Sequence, residues 1–413
     1  MNINKDKNYN IVFGAILTLS SLFYIIYLIK IGQDFYWRYV YTDWLINYEG
    51  GFIKRGFLGQ ISIIFNNIFG IGLKNTFLAI HSFIYILFHY FFFLFFKDFK
   101  KNYLFLILCF SPLIFLYPLQ VNDALARKEI FFITIFLINT YYLIKTKNTI
   151  SAFVITNLSL IISCLIHEAV LFFSLFFYSS YYFFLKKNYL KSSNFINFLN
   201  IFIFILLLYV HSRPIDIDTL NDMIFFINND LRLNITASSG AMSWLSKLTF
   251  KTSLLNPFKE FNPLGNIIFL KYISLHLLYM HFVLFFYYII FKFSIFSNNR
   301  IIKILFVLNI LYVFLLFYIA FDWGRFVYIL YNFLLIFSFY ILYENKNIFL
   351  KIDNETILKK LSVNFKLIFA LIYISSWLPG LLYNDKFHLF PLFDFLIKNF
   401  FYIKKYLPSL LSL

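Results

Sequence analysis

The sequence predicts an all-α polytopic membrane protein with about eleven transmembrane helices. The chain of 413 residues is 61% hydrophobic and 24% aromatic, with a mean hydropathy of +0.77. Its apolar runs are continuous, as in 80–96 and 305–321, and a membrane-spanning helix needs about 20 such residues. A transmembrane β-barrel would instead alternate apolar and polar residues over segments of about ten. Helices are therefore the elements that this composition favours.

Lysine-rich clusters predict the direction in which each helix crosses the membrane. Positive residues flank membrane spans on the cytoplasmic side, so we place the clusters around Lys97, Lys145, Lys186, Arg300 and Lys351 inside, together with the N-terminus. This gives spans at roughly 11–31, 76–96, 103–120, 130–144, 150–166, 169–185, 195–210, 272–293, 304–321, 326–343 and 366–384.

The spans form one integral membrane domain over 1–413 with two long outer segments. The first loop, 32–75, contains the apolar stretch Ile61–Leu73, which is too short to span and is predicted to lie along the membrane interface. The second segment, 211–271, is the large outer loop. After Pro391 we predict another interfacial helix, with a short twelfth span as the alternative, so the count of spans ranges from 10 to 12.

The apolar stretch 149–185 is predicted to form a hairpin whose outer apex is His167 and Glu168. It is too long for one span, and lysines bound it at both ends, so the chain must cross outward and return. A single tilted helix is the alternative interpretation.

Ionisable residues at the ends of apolar segments are costly in a membrane and indicate functional sites. Four motifs on the predicted outer side contain them: the first loop, 122–129, 167–168 and 322–325. Each motif also has an ordinary structural interpretation. For the first loop it is a flexible connector, and for 122–129 it is a capped helix start with an ion pair. For 167–168 it is a hydrogen-bonded histidine, and for 322–325 it is an aromatic-belt tryptophan beside a snorkelling arginine. The candidate residues, with one from the large loop, are Asp43, Glu49, Lys54, Arg55, Asp123, Arg127, Lys128, Glu129, His167, Glu168, Arg213, Asp322 and Arg325.

The distribution of arginine favours a phosphate-binding interpretation. The chain has 36 Lys plus Arg, of which seven are arginine, and six of those seven fall on the predicted outer side. A guanidinium binds phosphate through two parallel hydrogen bonds, which lysine cannot do. Gly50, Gly51 and Gly56 free the backbone around Lys54 and Arg55, as an anion-binding turn requires. We therefore expect an outward-facing site for a phosphorylated substrate, with no metal and no cofactor.

This outline resembles the Wzy-type O-antigen and polysaccharide polymerases, which are bacterial inner-membrane proteins with ten to fourteen spans. The segments that carry the resemblance are Gly50–Gly56, Arg127–Glu129, His167–Glu168 and Asp322–Arg325. The resemblance implies polymerisation of undecaprenyl-pyrophosphate-linked oligosaccharide repeat units at the periplasmic face. It also implies membrane lipid and a chain-length regulator protein as partners, and no nucleic acid.

In this interpretation Glu168 is the general base, beside His167, and Glu49 and Asp43 are the next choices. The residues expected to bind pyrophosphate are Arg127, Arg325, Arg55, Lys54 and Arg213, and the residues expected to support them are Asp123, Asp322, Lys128 and Glu129.

Two other functions stay open at this point. A GT-C glycosyltransferase that uses a polyprenyl-phosphate sugar has an Asp in its first outer loop followed by interfacial helices, and Asp34 or Asp43 before Ile61–Leu73 resembles this. A flippase for lipid-linked glycans is the other alternative, although it should place charges in mid-span cavities and on both faces of the membrane.

Overall fold

The computed structural model describes residues 3–32, 39–99, 108–120, 124–188, 190, 193–213, 215–231, 233, 235–237, 239–242, 245, 300–319 and 323–343. Every regular element within these ranges is helical, which confirms the predicted all-α class. Several predictions lie outside the described residues: the spans 272–293 and 366–384, the segment after Pro391, most of the loop 211–271, and Asp34, Asp123 and Asp322.

The helices in chain order are α1 (Ile3–Gly32), α2 (Tyr39–Leu45), α3 (Gly56–Phe69), α4 (Leu73–Phe96), α5 (Pro112–Phe115), α6 (Tyr117–Gln120), α7 (Glu129–Lys145), α8 (Thr149–Ile166), α9 (Ser174–Lys187), α10 (Asn194–Ser212), α11 (Ile217–Asn229), α12 (Arg300–Ile319) and α13 (Trp323–Leu342). Two 3₁₀ helices, Ala124–Ala126 and Glu168–Phe173, precede α7 and α9.

Six helical segments among the described residues are long and apolar enough to cross a membrane. They are Asn10–Lys30, Leu73–Phe96, Thr149–Ile166, Glu168–Lys187, Asn194–Ser212 and Gly324–Leu342. Each corresponds to a predicted span. The total of about eleven and the sidedness of the helices stay predictions.

The expected continuous span over 103–120 is wrong for its described part. Residues 108–120 contain two single helical turns, α5 and α6, rather than one helix. Pro112 begins α5, with the Ser111 hydroxyl accepting from the Leu113 amide at 3.4 Å, and Pro118 lies in α6. Because proline has no N–H and clashes with the preceding turn, it favours a helix start and opposes an unbroken helix.

Helices α7 and α13 lie at the centre of the bundle. Helix α7 packs against α4, α8, α9 and α13. In α13, 94% of the most apolar stretch is buried inside the protein. The rings of Phe136 and Phe333 stack at 4.5 Å between these two helices. By contrast, only 11% of the most apolar stretch of α10 is buried inside the protein. Helix α10 therefore lies at the periphery, with Ile, Leu and Phe side chains exposed. A bilayer is the environment that suits such a face.

The chain turns at His167, as the hairpin interpretation requires. Helix α8 ends at Ile166, and His167 has extended backbone angles of φ −160° and ψ 125°. The His167 ring nitrogen Nδ1 lies 3.1 Å from the Ala169 amide and caps the 3₁₀ turn that follows. Helix α9 then packs back against α8, so a single tilted helix over this stretch is excluded.

Helix α3 has the amphipathic character expected of an interfacial helix. It begins at Gly56 and ends at Gly70, whose left-handed φ of 65° lets its amide donate to the Asn66 carbonyl at 2.8 Å. Leu58 and Ile63 are buried against the bundle, whereas Ile64, Phe65, Ile68 and Phe69 are exposed. The predicted stretch 61–73 is therefore helical mainly in its first part, and the helix starts earlier than expected.

The segment Glu168–Lys187 is long and apolar enough to cross a membrane, so its two ends should lie on opposite sides. We expect reporters fused after Glu168 and after Lys187 to give opposite accessibility, with the Glu168 fusion outside. A fusion after Lys145 is the control and should match the one after Lys187. Equal accessibility at Glu168 and Lys187 would contradict the hairpin as a transmembrane element.

Candidate functional site

Side chains from four separate parts of the sequence meet at one end of the bundle. They come from the first loop and the starts of α7, of the 3₁₀ turn before α9, and of α13. We call this group the ionic cluster, and its members are Asp43, Arg55, Lys128, Glu129, His167, Glu168 and Arg325. The structure therefore brings together residues of all four motifs identified in the sequence.

Arg55 binds Glu168 through two sides of its guanidinium. Its Nε donates to Oε2 at 2.7 Å, and one terminal nitrogen donates to Oε1. The other terminal nitrogen lies 3.4 Å from Asp43 Oδ1. This two-pronged arrangement is the strong form of a charge-assisted hydrogen bond, and it joins the first loop to the turn between α8 and α9.

The backbone of Arg55 is strained. Its φ of 68° makes it the one non-glycine residue with positive φ in the described part of the chain, and such a conformation costs about 1–3 kcal/mol. Its carbonyl oxygen accepts a hydrogen bond from Lys128 Nζ at 2.9 Å. The surrounding contacts thus hold Arg55 in a conformation that the isolated chain would disfavour.

Lys128 fastens the first loop to the start of α7. Its side chain is fully buried, and Nζ donates to the Asp43 carbonyl at 2.7 Å as well as to that of Arg55. Nζ also lies 3.5 Å from the Asp43 carboxylate. Burial alone would raise the pKa of Asp43, but the charges of Lys128 and then Arg55 outweigh it and lower that pKa below its ordinary value. The buried charges are therefore paired, as an apolar interior requires.

Arg325 links α13 to α7 and to the hairpin turn. It pairs with Glu129, the first residue of α7, and its terminal nitrogen lies 2.8 Å from His167 Nε2. His167 Nδ1 accepts from the Ala169 amide, and Nε2 faces the Arg325 guanidinium. A ring protonated on both nitrogens would therefore place both of its N–H groups against other N–H donors. Burial, followed by the charge of Arg55, holds the pKa of His167 well below its usual value. The ring is consequently neutral at neutral pH.

Three buried side chains position the segment that leads into Lys128. Trp44 Nε1 donates to the Ala126 carbonyl at 3.0 Å, and the Tyr85 hydroxyl donates to the Leu125 carbonyl at 2.8 Å. His81 Nε2 lies 3.1 Å from the Arg127 carbonyl. These carbonyls belong to the short 3₁₀ turn and to the residue that follows it, and they would otherwise lack these donors. None of the three residues could be identified from the sequence, because a Trp, Tyr or His in an apolar run gives no local sign of its partner.

The glycines of the first loop serve close packing more than anion binding. Of Gly50, Gly51 and Gly56, only Gly51 has a positive φ, at 120°. A Cβ on Gly50 would lie 2.4 Å from the Thr219 carbonyl of α11, and one on Gly56 would lie 2.4 Å from the Tyr48 ring. The amides of Gly51 and Gly56 donate to the carbonyls of Tyr48 and Ile53 within their own turns. These two amides are therefore engaged within the turn, and anion binding by this loop stays a prediction.

Three candidate residues lie apart from the ionic cluster. Glu49 is exposed and accepts a hydrogen bond from Gln60 at 2.7 Å, because the turn directs it toward α3. The guanidinium of Arg127 lies over the Tyr39 ring at 5.9 Å, and that of the exposed Arg213 lies over the Tyr209 ring at 4.2 Å.

Lys54 is half-buried beside the cluster, where it interacts electrostatically with Glu168 and Arg55. Within the part of the chain that the structure describes, it forms no ion pair or hydrogen bond. With Lys54 included, the described residues of the site supply four cations and three carboxylates, while His167 is neutral. Among the described residues the balance is therefore positive, which suits an anionic ligand.

The described residues contain no group of three or more His, Cys, Asp or Glu side chains placed to hold a metal ion. Comparison of the chain with family models, with curated proteins and with solved structures finds no match.

Removing the Lys128 ammonium should destabilise the protein. Lys128→Met keeps the length of the side chain but leaves the Asp43 carboxylate short of a partner and two carbonyls without donors. Breaking a buried ion pair costs about 3–5 kcal/mol, so the thermal unfolding midpoint in detergent should fall clearly. Lys145→Met is the matched control at the other end of α7, where the side chain is exposed. Equal midpoints for both variants would contradict a clamping role for Lys128.

Proposed function

We propose that the chain is a glycan polymerase that joins lipid-pyrophosphate-linked oligosaccharide repeat units at the outer face of a bacterial inner membrane. One observation supports this most: the Arg55–Glu168 pair and the Arg325–His167 contact lie together at one end of the apolar bundle. The segments that suggested the polymerase resemblance include those that meet there. An amphipathic α3 beside them is suited to the membrane surface.

The reaction transfers the growing glycan from its pyrophosphate carrier to a hydroxyl of a second repeat unit. The hydroxyl oxygen attacks the anomeric carbon and loses its proton to a base, while the bond from that carbon to the pyrophosphate oxygen breaks. Negative charge grows on the departing pyrophosphate. Arg325 is placed to stabilise it together with Lys54, which has no ion pair within the described ranges, and with Arg55 beside them, in a site largely shielded from water.

Glu168 is the best candidate for the base, because its side chain is the most exposed of the three carboxylates in the ionic cluster. Its side chain is 29% exposed, against 11% for Asp43 and 4% for Glu129. A base must reach the proton that it abstracts, and only Glu168 combines cluster membership with that access. The contact with Arg55 keeps the carboxylate ionised and aimed, and one of its oxygens must exchange that contact for the substrate hydroxyl.

A GT-C glycosyltransferase is the second candidate, because α2 and α3 lie between the first two apolar helices and Asp43 belongs to α2. The resemblance to that family depends on an Asp in the first outer loop. Asp43, however, is buried and held by Lys128 and Arg55, which favours a structural role. We therefore rank the polymerase first.

Deleting the gene should reduce a surface polysaccharide ladder to single repeat units, and complementation with Arg325→Lys should restore it poorly. The variant keeps the charge but loses the planar fork, which should cost about 2–4 kcal/mol in the transition state, or roughly 30- to 1000-fold in rate. Ladder length on a gel measures both effects. Arg127→Lys should be milder, because its side chain lies over Tyr39.

Arg300→Lys is the control, since Arg300 is exposed at the start of α12, and it should give full-length polymer at equal protein level. Loss of the repeat unit itself would favour the GT-C transferase. Accumulation of precursor on the inner side would favour a flippase. A full ladder with Arg325→Lys would remove the role proposed for this guanidinium.

A further inference from the structure

His211 is a buried polar residue that the proposed reaction does not yet use. It is the penultimate residue of α10 and is 4% exposed. Neither ring nitrogen has a hydrogen-bond partner among the described residues. A buried polar group without a partner is destabilising, so a protein retains one only where something else compensates.

His211 lies beside the ionic cluster. The helix α10 packs against the 3₁₀ turn that begins at Glu168, and the ring lies within electrostatic reach of both Glu168 and Lys54. Lys54 is likewise without an ion pair in the described part of the chain. His211 and Lys54, which form no hydrogen bond or ion pair with the described residues, thus both lie within electrostatic reach of the Arg55–Glu168 pair.

We propose that His211 binds hydroxyl groups on the saccharide part of the substrate, next to Glu168. This inference rests on the proposed function and assigns a part of the substrate to this side of the ionic cluster. A neutral imidazole offers one donor and one acceptor, and a sugar hydroxyl can satisfy both. A phosphate oxygen only accepts, so it would leave the second ring nitrogen unpaired. The chemistry of the imidazole therefore fits a saccharide hydroxyl better than the pyrophosphate.

Composition supports a binding role over simple packing. The chain contains 62 Phe residues, so an apolar ring is its common solution for filling space. A histidine at a buried helix end differs from phenylalanine mainly by its two nitrogens. Those nitrogens are the atoms that lack partners.

Binding of two lipids to the full-length protein in detergent tests the proposal. One probe is undecaprenyl pyrophosphate without sugar, and the other is the same lipid bearing the host repeat unit. His211→Phe should weaken binding of the sugar-bearing lipid about tenfold, the equivalent of one good hydrogen bond, and change binding of the bare lipid less than about twofold. His211→Gln, which keeps a donor and an acceptor, should retain most of the affinity. Tyr209→Phe, an exposed ring on the same helix, should alter neither.

Thermal stability of the empty protein separates binding from structure. Replacing an unpaired polar ring by an apolar one of similar shape is neutral or stabilising, so the midpoint of His211→Phe should equal or exceed that of the unmodified protein. A lower midpoint, equal weakening of both lipids, or no weakening of either would overturn the proposal. Arg325→Ala tests the proposed function separately. If it leaves binding of the bare lipid intact, Arg325 does not bind the pyrophosphate, and the difference between the two lipids with His211→Phe still tests the saccharide contact.

Discussion

The ion pair between Arg55 and Glu168 is the contact on which the arrangement at this end of the bundle depends. It joins the first loop to the turn between α8 and α9. Asp43 and Lys128 complete it from α2 and from the start of α7. Charges at the edge of a membrane interior are costly unless they are paired, so each charged residue here constrains where the others can lie.

The charged residues at this end of the bundle nevertheless differ in what they can do. Lys128 and Asp43 are buried and bind backbone carbonyls or each other, which is a structural use of charge. Glu168 is clearly more exposed, at 29%, and Lys54 has no ion pair within the described ranges. The strained backbone of Arg55 lies at the boundary between the two groups. A rigid inner set of charges can thus hold an outer set in position for an anionic, hydroxyl-bearing substrate.

The sequence predicted the fold class and many of the residues that meet, because continuous apolar runs and charged residues at their ends are local signals. The break at His167 followed from the length of the apolar stretch and the lysines at its ends. The contacts themselves could not be predicted: Arg127 lies over Tyr39, and Glu49 faces Gln60. Such choices depend on which helix a side chain meets across the bundle. His211 was missed because its lack of a hydrogen-bond partner is visible only once its neighbours are placed.

Exchanging the two charges tests most directly whether the Arg55–Glu168 pair acts on a substrate or only supports the fold. The double variant Arg55→Glu with Glu168→Arg keeps an ion pair between the same elements but moves the carboxylate off the turn before α9. We expect the double variant to regain part of the expression and thermal midpoint that either single change loses, because a carboxylate at position 55 no longer pairs with Asp43, while the polysaccharide ladder stays at single repeat units. A double variant that restores both stability and a full-length ladder would contradict a role for Glu168 in the reaction.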